Sequence, residues 1–163
     1  MNNVKIDTSQ VDRLLATLDD DDKKRDILFK AVKDGAKVLQ ETAKNYFKSA
    51  MGDAATHYSK YIRKPFADGI SMKGDKAYCE ATVSIMNDFR MKFFEKGTRQ
   101  RQTKGRKITG YINPHRLKRE GKGHNTGAIQ AKYFFKNART ASDTAINEAM
   151  KASIDNALKK LIQ

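Results

Sequence analysis

A single cysteine, Cys79, stands among the 163 residues, so no disulfide can form within the chain. Its neighbours in YCEATV are small or β-forming and none is cationic, which predicts a buried structural thiol rather than a reactive one. No apolar run approaches the ~20 residues needed to cross a bilayer, so no membrane helix is expected. The start, MNNVKIDTSQ, has neither a basic opening nor an apolar stretch, and the chain is expected to be made and kept in the cytosol unless exported by other means. Histidine is scarce as well. His57, His115 and His124 include no pair at helical spacing and, with one distant cysteine, do not match structural zinc, so no metal site is expected. Neither GxxxxGK[ST] nor GxGxxG lies between a strand and a helix, and no cofactor is expected. No nucleophile stands with a base and no acids are paired in a convergent pattern. No catalytic residue is nominated, and a non-enzymatic binding or assembly protein is expected. The chain has no internal repeat.

What is present in excess is positive charge. The formal net charge is +14 and the pI is about 9.9, a field that draws polyanions or acidic protein surfaces. Most of it sits in one segment. From Arg99 to His124 there are nine cations (Arg99, Arg101, Lys104, Arg106, Lys107, Arg116, Lys118, Arg119 and Lys122) against the single anion Glu120, a net +8. The surrounding stretch, 97–127, also holds six of the ten glycines together with Pro114, which predicts a long loop. Three uses stay open for it: tracking a nucleic-acid backbone, lying solvated, or ordering against an acidic neighbouring subunit.

The length fits one domain, 1–163, with 1–22 as an N-terminal arm or short helix. Val11, Leu14, Leu15 and Leu18 form a helical stripe that Ser9 can cap. The run Asp19 to Asp22 suits the start of the next helix through capping and the macrodipole; a divalent-cation site would need a loop geometry that four consecutive carboxylates lack. From Lys23 to about Lys48, Leu28, Val32, Ala36, Leu39, Ala43, Tyr46 and Phe47 recur at helical spacing, with Gly52 as the stop. Gly35 inside that helix costs about 1 kcal/mol unless close packing offsets it. Residues 49–65 can be read as a helical turn or as an extended arm. Beyond them, Phe66 to Met72, a turn at Lys73 to Asp75, the alternation of Ala77, Cys79, Ala81, Val83 and Ile85 with polar residues, and FRMKFFEKG after Asn87-Asp88 predict a β-meander. From Thr140 onward, Ile146, Ala149, Met150, Ile154, Ala157, Leu158 and Leu161 predict a C-terminal helix capped by Thr140 or Ser142, with Lys159 and Lys160 favourable at its end. The fold class expected is α+β.

Within FRMKFFEKGTRQR, residues 89–101, Gly97 suits a positive φ where the chain leaves the sheet. Thr98 can hydrogen-bond locally, and Glu95 can pair with cations or accept backbone N–H groups at the bend. A turn that ends a strand is the plain reading of these residues. Taken with GAIQAKYFFKNA, residues 127–138, and the early amphipathic helix, the segment resembles the tail-component family of long-tailed bacteriophages and prophages, the head-tail joining, neck or tail-completion proteins. The shared features are an aromatic pair before Glu-x-Gly-Thr, here Phe93, Phe94, Glu95, Gly97 and Thr98, then a variable loop, then an apolar FF-x-x-A lead into the last helix, here Phe134, Phe135 and Ala138. The loop is longer and more basic than in that family, and 49–65 has no Thr-Gly-x-Leu before the sheet.

The resemblance implies a virion protein, made in the bacterial cytoplasm. It would be one subunit of a homo-oligomeric ring, expected to be hexameric, that joins the tail tube to the head connector. Its implied partners are neck and tail proteins: connector or stopper, tail terminator or tail tube. Phe93, Phe94, Glu95, Gly97, Thr98, Phe134 and Phe135 are the implied subunit contacts, with the basic loop facing an acidic partner ring or DNA. The alternative is a cytosolic nucleic-acid-binding protein that uses the basic 99–124 loop.

Overall fold

The structure is a computed structural model that describes residues 21–60, 62–102 and 125–162. Two long helices dominate it. The first, α1, spans Asp21–Met51; the last, α3, spans Phe134–Ile162. The architecture is α+β, as expected.

Helix α1 begins within the aspartate run. Asp21 and Asp22 occupy its first turn, where negative charge suits the exposed N–H groups, and they pair with Lys24 at 3.1 Å and Arg25 at 3.7 Å. It ends where Gly52 takes φ +55° and opens a 3-10 turn, Gly52–Ala55. The buried residues Ile27, Ala31, Gly35, Leu39, Ala43 and Phe47 recur every fourth position, flanked by Val32 and Ala36. Helix α3 answers with its own four-spaced set: Phe134, Ala138, Ser142, Ile146, Met150 and Ile154. The two rows run antiparallel, since Phe47 meets Phe134 at 4.8 Å between ring centroids while Asp34 accepts the Ser153 hydroxyl at 3.0 Å.

Gly35 lies where α1 packs tightly against α3. A Cβ added there would lie 2.8 Å from Met150 Cγ and 3.2 Å from Ile146 Cγ2. The missing side chain is the space Met150 fills, which offsets the helical cost of glycine.

A hairpin lies against α1. Strands β3 (Ser71–Asp75) and β4 (Glu80–Ser84) pair antiparallel from Ser71 opposite Ser84 to Asp75 opposite Glu80. Ala81 and Val83 point into the core, as the alternation predicts, and the Phe29 ring fills the space over Gly74. The turn comes later than expected, at 76–79, with Asp75 Oδ1 accepting the Ala77 N–H at 2.9 Å. Cys79 sits in that turn at φ +49° and is half-buried rather than fully buried. Residues 58–65 resolve the ambiguity of that region into a two-residue pairing of β1 (Tyr58–Ser59) with β2 (Lys64–Pro65), followed by a 3-10 turn at Phe66–Gly69.

The expected strand at FRMKFFEKG is instead a helix, α2, Met91–Lys96. Asp88 starts it. Its backbone carbonyl accepts the Met91 N–H at 3.0 Å, and its side chain accepts the Arg90 N–H at 3.1 Å. Met91, Phe94 and Glu95 then face inward at i, i+3 and i+4, a spacing that two-residue alternation does not give. Helix α3 also starts six residues before Thr140, at Phe134. Thr140 and Ser142 therefore lie inside it, bonding back to Lys136 and Arg139 carbonyls instead of capping. Last, β5 (Arg101–Gln102) pairs with β6 (Asn125–Gly127), bringing the two described ends of the long loop together.

Candidate functional site

The two stretches that carry the family resemblance are held against each other. Glu95 is buried, and its carboxylate accepts the backbone N–H of Phe135 at 2.8 Å through Oε2 and of Lys136 at 3.1 Å through Oε1. These are among the N–H groups that a helix leaves without a partner in its first turn. An acid some 40 residues earlier in the chain thus performs the capping task that a local Ser or Asp usually performs, and its charge suits the positive end of the helix dipole.

The bonding also runs the other way. The carbonyls of Phe94 and Glu95, at the end of α2, accept N–H groups from Lys132 at 2.7 Å and Tyr133 at 3.2 Å. Thr98 donates its N–H to the Ile129 carbonyl and accepts the Ile129 N–H on Oγ1, both at 2.9 Å. The Thr98 bond therefore crosses the long loop instead of closing a local turn. Gly97, at φ +73°, lies flat against this segment: a Cβ there would meet the Ile129 oxygen at 2.8 Å and the Ala131 nitrogen at 2.9 Å. Only glycine satisfies both the backbone angle and the contact.

Aromatic packing secures the same junction. Phe47, at the end of α1, is enclosed edge-to-face by Phe66 at 5.4 Å, Phe94 at 6.4 Å and Phe134 at 4.8 Å. Such geometry adds about 0.5–1.5 kcal/mol per pair beyond burial. Phe94 and Phe134 therefore bring the two motif stretches onto α1.

Seven residues were nominated as subunit contacts, and the structure divides them. Glu95, Phe134 and Phe135 are buried within the chain. Phe94, Gly97 and Thr98 are half-buried in the clasp. Phe93 points the other way, into a groove of 620 Å³ whose walls include Val83 to Met86, Lys92 and Lys96. Arg99 and Arg101 are exposed. Lys104, Arg106, Lys107, Arg116, Lys118, Arg119 and Lys122 lie outside the described residues, as does the stripe from Val11 to Leu18.

One cluster was not anticipated. Asp88, which reads in sequence as part of a turn, is fully buried, and Oδ2 accepts the Ser59 hydroxyl at 2.6 Å and the Arg90 Nη2 at 2.5 Å, while Oδ1 accepts Arg90 Nε at 2.9 Å. Arg90 also donates to Ser59 at 2.8 Å and lies 4.7 Å over the Phe66 ring. The Arg90 guanidinium holds the Asp88 carboxyl below the usual aspartate pKa; burial opposes this, and the Ser59 hydroxyl and Arg90 backbone N–H reinforce it. The cluster ties β1 to the turn before α2. The sequence signal for it was Asp-x-Arg after a strand, a spacing that allows a bidentate pair but does not require one.

Among the described residues no group of three or more His, Cys, Asp or Glu is placed to hold a metal ion, and no helix is long and apolar enough to cross a membrane. No protein-family model matches the chain, and no curated protein or solved structure does either.

Proposed function

We propose that the protein is a structural subunit of the head-tail junction of a long-tailed bacteriophage or prophage, assembling as a ring that joins the tail tube to the head connector. The observation that supports this reading is the clasp. The Glu-x-Gly-Thr and FF-x-x-A stretches that carry the resemblance are separated by the long loop, yet Glu95, Gly97 and Thr98 bond or press directly onto residues 129–136. They are one structural unit, as the parts of a shared motif should be.

On this reading the clasp is scaffold. It fixes both ends of the basic segment so that residues 99–124 are presented as an assembly arm to an acidic partner ring. Docking suits this charge better than lining a DNA channel, because strong attraction to phosphate would retard DNA passage. Electron microscopy of particles assembled without the protein is expected to show filled heads and finished tails that stay apart; normally joined virions overturn the proposal. The nucleic-acid reading rests on the +14 net charge. It predicts micromolar or tighter duplex binding with a steep salt slope that weakens on changing Arg106 and Lys107.

A further inference from the structure

The junction that holds Glu95 inside presents cations outside. Lys96 and Arg99 on the first motif stretch, and Lys132, Lys136 and Arg139 on the second, are all exposed. The backbone contacts of the clasp bring the two sets together: the Lys132 N–H reaches the Phe94 carbonyl at 2.7 Å, and Gly97, next to Lys96, lies against Ala131. Lys136 and Arg139, three apart on α3, share one face of that helix. Acids are few along both stretches. From Phe89 to Ser142 the sequence has two, Glu95 and Glu120. Glu95 is buried with its carboxylate on the Phe135 and Lys136 N–H groups, and Glu120 lies outside the described residues. The next exposed acid along α3, Asp143, comes about one turn after Arg139.

Among these cations stands an aromatic ring on an uncommon backbone. Tyr133 has φ +47°, a left-handed conformation that bulky side chains seldom adopt. Its N–H donates to the Glu95 carbonyl at 3.2 Å and its carbonyl accepts the Asn137 N–H at 2.9 Å, so the backbone is fixed on both sides. The ring is 51% exposed, with Lys136 Nζ 6.0 Å from its centroid. Core packing does not account for the strained angle, since Phe134 and Phe135 fill the core and this ring does not.

We propose that the face formed by Tyr133, Lys132, Lys136 and Arg139, flanked by Lys96 and Arg99, binds single-stranded nucleic acid. A base stacks on the Tyr133 ring while phosphates on either side meet the cations, the combination of stacking platform and basic track that suits single strands. An acidic peptide matches the charge but makes no use of a ring held outward on a fixed backbone. A duplex keeps its base faces stacked and meets only the cations. The site belongs to the scaffold and not to the basic segment 103–124, and it stands independently of the ring reading, on which particles assembled without the protein report alone.

The test uses the full chain and a short fluorescent oligothymidylate, with fluorescence anisotropy as the readout. An abasic strand of the same length keeps the phosphates and lacks the bases. Wild type is expected to bind the oligothymidylate about tenfold more tightly than the abasic strand. Tyr133→Asn removes the ring and tolerates the left-handed backbone; it is expected to bind both strands equally, and Tyr133→Phe to keep the difference. The double variant K132Q/K136Q, altered only at exposed side chains, is expected to weaken both strands and to lower the slope of log affinity against log salt by about 1.4 while keeping its thermal midpoint. Equal binding of the two strands by wild type overturns the proposal, as does no binding at all. So does an unchanged preference in Tyr133→Asn or an unchanged salt slope in K132Q/K136Q, either of which moves the contact elsewhere. Displacement of the oligothymidylate by polyglutamate at equal charge concentration also overturns it and marks an acidic protein as the occupant.

Discussion

Helices α1 and α3 lie side by side with matching four-spaced rows, yet they are started in opposite ways. Helix α1 carries its own instructions: aspartates at its first turn, a periodic apolar face and a glycine at φ +55° just past its end. Helix α3 borrows its start from Glu95, across the whole basic loop. The difference is that α1 has its start and stop signals within its own sequence, whereas the first turn of α3 is capped by a residue of α2. Residues 134–139, which hold two of the four core phenylalanines, are joined to a long-range contact at Phe135 and Lys136.

Removing the remote cap is the strongest way to break this comparison. Glu95→Ala leaves the buried Phe135 N–H and the part-buried Lys136 N–H without their carboxylate partner and is expected to cost about 2–3 kcal/mol in urea unfolding. Amide hydrogen exchange should show the loss of protection concentrated at 135–138 and absent from α1. Gly97→Ala forces a side chain into backbone at positive φ and should cost about 2–3 kcal/mol, again with its effect on α3.

The Asp88 cluster sharpens the comparison, because its hydrogen bonds tie the turn before α2 to β1. Asp88→Asn is expected to cost about 2 kcal/mol near neutral pH, less than a fully buried pair, since Arg90 is partly solvated. Its pH dependence has a definite sign. The folded pKa of Asp88 lies below the unfolded value of about 3.9, so its contribution is complete above that value and is lost as pH falls through the lower folded pKa. Urea midpoints of wild type and variant should therefore differ most above pH ~4 and converge in stronger acid. The smallest effect is expected at the local start: Asp22→Asn, exposed on α1, should shift stability by about 0.5 kcal/mol or less, and salt should erase the shift.

The parts of the fold legible in the sequence were those set by neighbours along the chain. The buried positions Val32, Ala36, Leu39, Ala43 and Phe47, the Gly52 stop and the inward Ala81 and Val83 all follow from spacing within one element, whereas Tyr46, read onto the same face, is exposed. The α2 segment was misread because Arg90 to Phe93 alternate, while the buried set is Met91, Phe94 and Glu95, and the pull toward helix comes from Asp88. The start of α3 was placed late because Thr140 and Ser142 look like caps, and nothing near Phe134 advertises that the capping oxygens come from Glu95. For the site, Gly97 and Glu95 could be read as a glycine angle and an acceptor of backbone N–H groups. Their target could not, since sequence spacing does not say which distant N–H groups come within reach.

The paired bonds between Thr98 and Ile129 close the chain on itself just before and just after the basic stretch. The chain leaves Thr98 and returns to Ile129 at one point of the fold. Closing a span of chain costs about 0.6 kcal/mol more for each doubling of its length, so the two bonds oppose lengthening of that span only weakly.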